Sequence, residues 1–498
     1  MNPRIRVYAA LAFTLVAGAT GTIGCKRNAP NSSAPTRDAQ LLSRVTYAST
    51  NDELAVELSH VTAPAVLDPA DRPLILSRPA PDSREWMVQI LNQGYELSGN
   101  TSPLWDAKVR AAFEAYADYS RVSTTNWPAL QKALAALDQT GCTDPMVQYF
   151  HARYPEDNLT YMQNALALLK AHEAVVNSAY HPLLKFYAGM RAMDALRNAD
   201  DNSNRQGRLA RTTADLEDLC RDYNAPVGEV FGAADSWLEH AHSKAWNNYM
   251  ADTLEPLLKA HWDGTESWYC FEGIAEVWRG WGERIHDWTN AATDEQLESF
   301  RAHFNKAEAA LNRAWQMNPS NAYTAYLMMQ VELAQHQGRA RLETWFQRAM
   351  ALEPNYYDAA EFAAHYLGPE NYGSDEEALE FARSCVASDK WGGNVPLVLE
   401  DLHHKLATYY YPNDAAEYWH RPGVWVDLKS SYEKFFTLNP DASGWRENYA
   451  MDAFNCGQYS VFLEQAKLFP YGTDYSFFGG KEKFLKMIQT ATKAARSL

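Results

Sequence analysis

From about residue 84 onward, apolar positions recur every three or four residues, the spacing of one helical face. Leu130, Leu134 and Leu137 fall on one face of a helix predicted to open at Trp127-Pro128, where proline suits the first turn. Asp144-Pro145 reads as an N-cap followed by Pro at N1, opening a helix through Phe150 and Ala152. Tyr161 to Val176 and Pro182 to Leu196 are two more amphipathic runs. Asn198 to Arg208, rich in Asp, Asn and Ser, reads as a loop. Thr293 with Gln296, and Ser374 with Glu377, have the spacing of capping boxes. Convincing β-alternation is missing, so the predicted class is all-α.

The second half of the chain repeats itself. Arg313-Ala314-Trp315-Gln316-Met317-Asn318-Pro319 and Arg348-Ala349-Met350-Ala351-Leu352-Glu353-Pro354 begin 35 residues apart, and Lys434-Phe435-Phe436-Thr437-Leu438-Asn439-Pro440 follows the same plan. Leu311, Phe346 and Tyr432 stand three positions before the central residue, giving each ending an apolar stripe. The closing Pro has no N–H to donate and cannot continue the helix. A helical unit recurring at about 34 residues marks a helix-turn-helix solenoid.

These endings resemble the tetratricopeptide repeat (TPR), whose second helix carries a small residue five positions before a closing Pro. Ala314 with Pro319 and Ala349 with Pro354 match; Phe435 with Pro440 keeps the spacing without the small residue. Tyr326-Leu327-Met328-Met329 and Phe362-Ala363-Ala364 supply first-helix positions but lack the Trp-x-x-Leu-Gly opening. The last unit runs Trp445, Asn448-Tyr449-Ala450, Gly457, Tyr459 and on to Phe469-Pro470. The likeness covers residues 301–365 and 425–470. Gly373 to Leu406, with Trp391-Gly392-Gly393, is similar to uncharacterised secreted bacterial TPR-like proteins. The resemblance implies a binding scaffold and no particular chemistry.

Both ends of the first 82 residues read as export and tether. Arg4 and Arg6 precede an apolar stretch from Val7 to Val16, long enough for a signal h-region and too short for a membrane span. Thr22-Ile23-Gly24-Cys25 resembles a bacterial lipobox, with Thr22 where Leu is usual, and makes Cys25 the expected lipidation site. Cleavage after Ala17-Gly18-Ala19 is the rival reading. Asn28 to Thr36 is polar and Pro-rich, and Pro64, Pro69, Pro73, Pro79 and Pro81 interrupt regular structure further on.

The net charge is −17, and loss of residues 1–24, which hold two Arg and no acid, takes it to −19. Such a surface repels phosphate backbones and anionic headgroups, so nucleic acid is not an expected partner. Beyond Cys25, the cysteines at 142, 220, 270, 385 and 456 are odd in number, widely spaced and without a C-x-x-C, which predicts buried thiols.

Glu239 with His242, and Glu400 with His403, are Glu-x-x-His elements of the kind that di-iron four-helix bundles use to grip metal. They lie 161 residues apart with solenoid repeats between them, so solvated helix faces are the expectation and no metal or cofactor is assigned. His403 and His404 diverge by about 100° on a helix, and His240 and His242 are no better placed. No H-E-x-x-H, G-x-S-x-G, Walker A or G-x-G-x-x-G motif occurs, so no catalytic residue is assigned. Trp237, Trp246, Trp262, Trp268, Trp278, Trp281 and Trp288 crowd a short stretch, and Tyr409-Tyr410-Tyr411, Trp419 and Trp425 form a second group. Interhelix filler is the main expectation; as a ligand platform, Trp278 and Trp281 come first, since i,i+3 spacing puts both rings on one face.

The reading is a signal peptide at 1–24, a linker and lead-in at 25–82, a helical array at 83–290 and TPR-like repeats at 291–498. The expected protein is a lipid-anchored, non-catalytic scaffold of the bacterial cell envelope with a protein or peptide partner, touching the membrane through its N-terminal lipid. A glycan-binding module using the tryptophans, or an enzyme with its site in 83–290, are the alternatives.

Overall fold

The computed structural model describes residues 83–495 except 122–126, 139, 155–158, 160, 200, 223, 239, 242–243, 286–292, 412–414, 441, 443–444 and 470–474. Every regular element among the described residues is helical. The signal segment, Cys25, the linker, Glu239, His242 and Trp288 lie outside the described residues.

The first part of the chain forms α1 (Ser83–Ser98), α2 (Asp106–Arg121), α3 (Trp127–Asp138), α4 (Pro145–Arg153), α5 (Tyr161–Val176), α6 (Pro182–Asn198) and α7 (Asn202–Cys220). Next come α8 (Val227–Leu238), α9 (Lys244–Tyr249), α10 (Glu255–Trp262) and α11 (Glu266–Ile285). The second part holds α12 (Asp294–Met317), α13 (Ala322–Gln335), α14 (Arg339–Leu352), α15 (Tyr357–Tyr366), α16 (Asp375–Ala387) and α17 (Val398–Tyr410). It closes with α18 (Ala415–Trp419), α19 (Val424–Leu438), α20 (Arg446–Asn455), α21 (Tyr459–Ala466) and α22 (Lys481–Ala495).

Local chemistry sets many of the boundaries. Asp144 caps α4, its carboxylate accepting from the N–H of Met146 at 2.9 Å and of Val147 at 3.2 Å, with Pro145 at the first turn. The Thr293 capping box is reciprocal: its hydroxyl accepts from Gln296 N–H at 3.2 Å, and the Gln296 amide oxygen accepts from Thr293 N–H at 2.8 Å. The Ser374 hydroxyl accepts from the Glu377 N–H at 3.2 Å. Helices α12, α14 and α19 each stop two residues before Pro319, Pro354 and Pro440, as the repeat endings predict. One reading is overturned. Asn202 to Arg208 is the first two turns of α7, not loop, because the helix runs on to Cys220 and its apolar stripe buries Leu209, Leu216 and Leu219.

Packing follows chain order. In the second part α11, α13, α15 and α17 form one row, each touching the next, while α12 and α14 pack between successive members. Helix α16 fills the same position between α15 and α17 and meets α19. The row extends backward through α8 to α6. Its contacts are close: Leu311, Ala314, Ala349, Tyr432 and Phe435 are fully buried, and Phe346 nearly so. The repeat stripe is narrower than the sequence pattern suggests, since Met317 and Leu438 at its end are 42% and 40% exposed. One cluster of buried side chains runs from Trp86 to Cys456, and a smaller one joins α20, α21 and α22. Cys142, Cys220, Cys270, Cys385 and Cys456 are buried free thiols. No helix among the described residues is long and apolar enough to cross a membrane.

Candidate functional site

Charged and phenolic side chains collect along the row of α8, α13, α15 and α17. The Tyr323 hydroxyl on α13 donates to Asp235 Oδ2 on α8 at 2.7 Å. One turn on, Tyr326 is buried, and its ring meets Tyr356 at a centroid distance of 5.5 Å. Burial, and then the charges of Asp358, Glu361 and Asp235, hold the Tyr326 phenol protonated far above its ordinary range. Burial and the charge of Glu361 push the half-buried Asp358 carboxyl up to about 7. Glu361 itself is buried and paired with the Lys405 ammonium of α17. Burial, helped by the Lys405 charge, lowers the His365 imidazole to about 4, so it is neutral. Tyr323, Tyr356, Asp235, Asp358, His365 and Lys405 all remain half-exposed, which brings this line to the protein surface.

A second group adjoins it where α17 meets α19 and α20. Glu400 and His404 stand one turn apart on α17, and Asp452 faces them from α20. His404 Nε2 lies 3.3 Å from Glu400 Oε1 and 3.0 Å from Asp452 Oδ1. The Tyr432 hydroxyl of α19 sits 2.8 Å from Asp452 Oδ2 and 3.1 Å from Glu400 Oε1. Loss of water around the His404 ring disfavours its charge, but the Asp452 and Glu400 carboxylates outweigh that and raise it to about 10. Among the described residues, Glu400, His404 and Asp452 are the one set of three that brings metal-ligating atoms together.

The expectation that Glu400 and His403 face water fails. Both are buried, because α17 packs against α15, α16, α18 and α19. His403 turns away from Glu400. Its Nδ1 lies 2.7 Å from the Tyr418 hydroxyl and its Nε2 lies 3.1 Å from Asp427 Oδ2, which also accepts from Arg383 at 2.9 Å. The divergence of the two adjacent histidines is as the helical geometry requires.

The tryptophans mostly serve packing. Trp237, Trp262 and Trp268 are buried, and Trp246 meets Trp237 edge to face. Trp278 and Trp281 are half-buried against the core, and the Trp281 ring stands edge-on to Phe300 and Phe304 at 5.6 and 5.3 Å. The sequence pattern did not single out Asp235, Tyr323, Asp358 or Asp452, and His404 entered only as half of a His403–His404 pair too divergent to grip one ion. Only the i,i+4 spacing of Glu400 and His404 gave a legible signal.

No protein-family model matches the chain, and no curated protein resembles it significantly.

Proposed function

We propose that the chain is a non-catalytic scaffold of the bacterial cell envelope: a TPR-like solenoid, tethered by a lipid on Cys25, whose row of α8, α11, α13, α15 and α17, taken as the inner face, receives a protein or peptide partner. The packing order carries this reading. Inner helices touch the next inner helix, outer helices wedge between them, and the outer ones end on the small-residue and proline spacing. Such stacks lend side chains from each unit to one extended ligand. The acids and tyrosines on α8, α13 and α15 favour a basic segment, since half-buried carboxylates and phenolic rings bind ammonium and guanidinium groups. Trp237, Trp262 and Trp268 are buried and the half-buried Trp281 packs on Phe300 and Phe304, which favours a packing role over a glycan platform.

Affinity capture from membranes in native detergent tests the proposal. The parent chain should recover one dominant protein, and the Asp235→Asn/Asp358→Asn variant should lose it while melting normally. Equal recovery by both, or recovery of polysaccharide, would refute the reading.

A further inference from the structure

We infer that Glu400, His404 and Asp452 form a binding site for a divalent first-row transition ion, with Zn2+ as its probe. Ligand atoms held about 2.0–2.2 Å from a tetrahedral ion stand roughly 3.3–3.6 Å apart. His404 Nε2 is already 3.3 Å from Glu400 Oε1 and 3.0 Å from Asp452 Oδ1, so small rotations about the side-chain torsions would admit the ion. Two carboxylates and one imidazole make a mixed oxygen and nitrogen set suited to zinc, manganese or iron rather than to calcium.

The surroundings fit a metal centre in three further ways. Glu400 and Asp452 are 3% and 1% exposed, so an ion held between them would be largely shielded from water. The Tyr432 hydroxyl stands between the two carboxylates and can donate its one proton to either, which would orient them as outer hydrogen-bond partners do around bound metals. His404, in contrast, leaves 41% of its side chain open, with the Trp419 ring 4.8 Å away. That exposure leaves the histidine side of the site in reach of solvent, the side from which an ion and a water ligand would enter. The pairing differs from the Glu-x-x-His spacing in the sequence: the ligand is His404, one turn from Glu400, and His403 is engaged by Tyr418 and Asp427.

The test uses the full chain, stripped with chelator and titrated with Zn2+ by calorimetry, with elemental analysis and thermal melts alongside. One zinc per chain should bind and raise the melting temperature through linkage. Tyr432→Phe, which keeps the ring, should weaken binding about 10- to 100-fold, the usual effect of losing an outer partner. His404→Gln, at a half-exposed position that tolerates change, should weaken it at least as much and remove the thermal shift. Co2+ in place of Zn2+ should give a visible ligand-field spectrum that His404→Gln abolishes. Well under one zinc per chain with no thermal shift would overturn the site, as would stoichiometric zinc bound equally well by parent and His404→Gln. In either case Glu400, His404 and Asp452 would be an ion-pair network alone.

Discussion

Gly273 and Gly280, seven residues apart on one face of α11, let that helix lie close against α12. A Cβ at Gly273 would stand 2.4 Å from Leu311 Cγ and 2.5 Å from its Cδ2; at Gly280 it would stand 2.6 Å from the Phe304 ring. Neither glycine has a positive φ, so the backbone itself accepts alanine. In an open helix Gly→Ala would stabilise by roughly 1 kcal/mol. Here the added methyl meets the branch point of a fully buried leucine, and overpacking costs about 1–3 kcal/mol. Since the clash falls on the Leu311 branch point and not on the far end of a flexible side chain, the upper end applies, and Gly273→Ala should lose about 2 kcal/mol net. Leu311→Ala alone should cost about 2–5 kcal/mol through its cavity. The double variant should cost clearly less than the two combined, because the new methyl occupies the space the leucine leaves. Urea unfolding followed by tryptophan fluorescence reads this seam, as Trp281 packs beside Phe300 and Phe304. A Gly273→Ala protein as stable as the parent, or strict additivity in the double variant, would refute the close-packing argument.

Ala349 is fully buried, and Ala349→Leu should cost about 1–3 kcal/mol by overpacking the repeat; an unchanged melt would argue against a TPR-like interface there. His172 is fully buried beside Arg208, and burial lowers its imidazole to about 4. The unfolded chain therefore binds this proton first. Stability should be full above about pH 6.5 and fall by about 3 kcal/mol as pH drops toward 4, a slope that His172→Gln should flatten in pH-dependent melts. Burial and the Glu361 charge push the Asp358 carboxyl up to about 7, so capture of a basic partner should weaken as pH falls through that value, and Asp358→Asn, neutral at every pH, should hold capture at the low-pH level throughout.

The helices were legible because their burial follows one stripe, as at Leu130, Leu134 and Leu137, and because caps such as Asp144 and Thr293 act within a few residues. Asn202 to Arg208 misled, since polar composition marks a loop only when no long amphipathic run follows it. The candidate site was harder. Tyr323 and Asp235 are 88 residues apart, and nothing in their local pattern announces the hydrogen bond that joins them. Glu400 reads as a surface acid until α19 and α20 cover it with Tyr432 and Asp452. The tryptophans drew attention through density alone, whereas burial of Trp237 and Trp268 assigns them to packing.

A photo-crosslinking side chain placed at Tyr323 on the inner row, and separately at Met317 on the outer row, would test the scaffold reading most directly in native membranes. Both positions reach solvent, so both can react. The account predicts one discrete protein adduct from Tyr323, lost when Asp358→Asn is added, and none from Met317. Adducts of the same protein from both positions, or from Met317 alone, would contradict it.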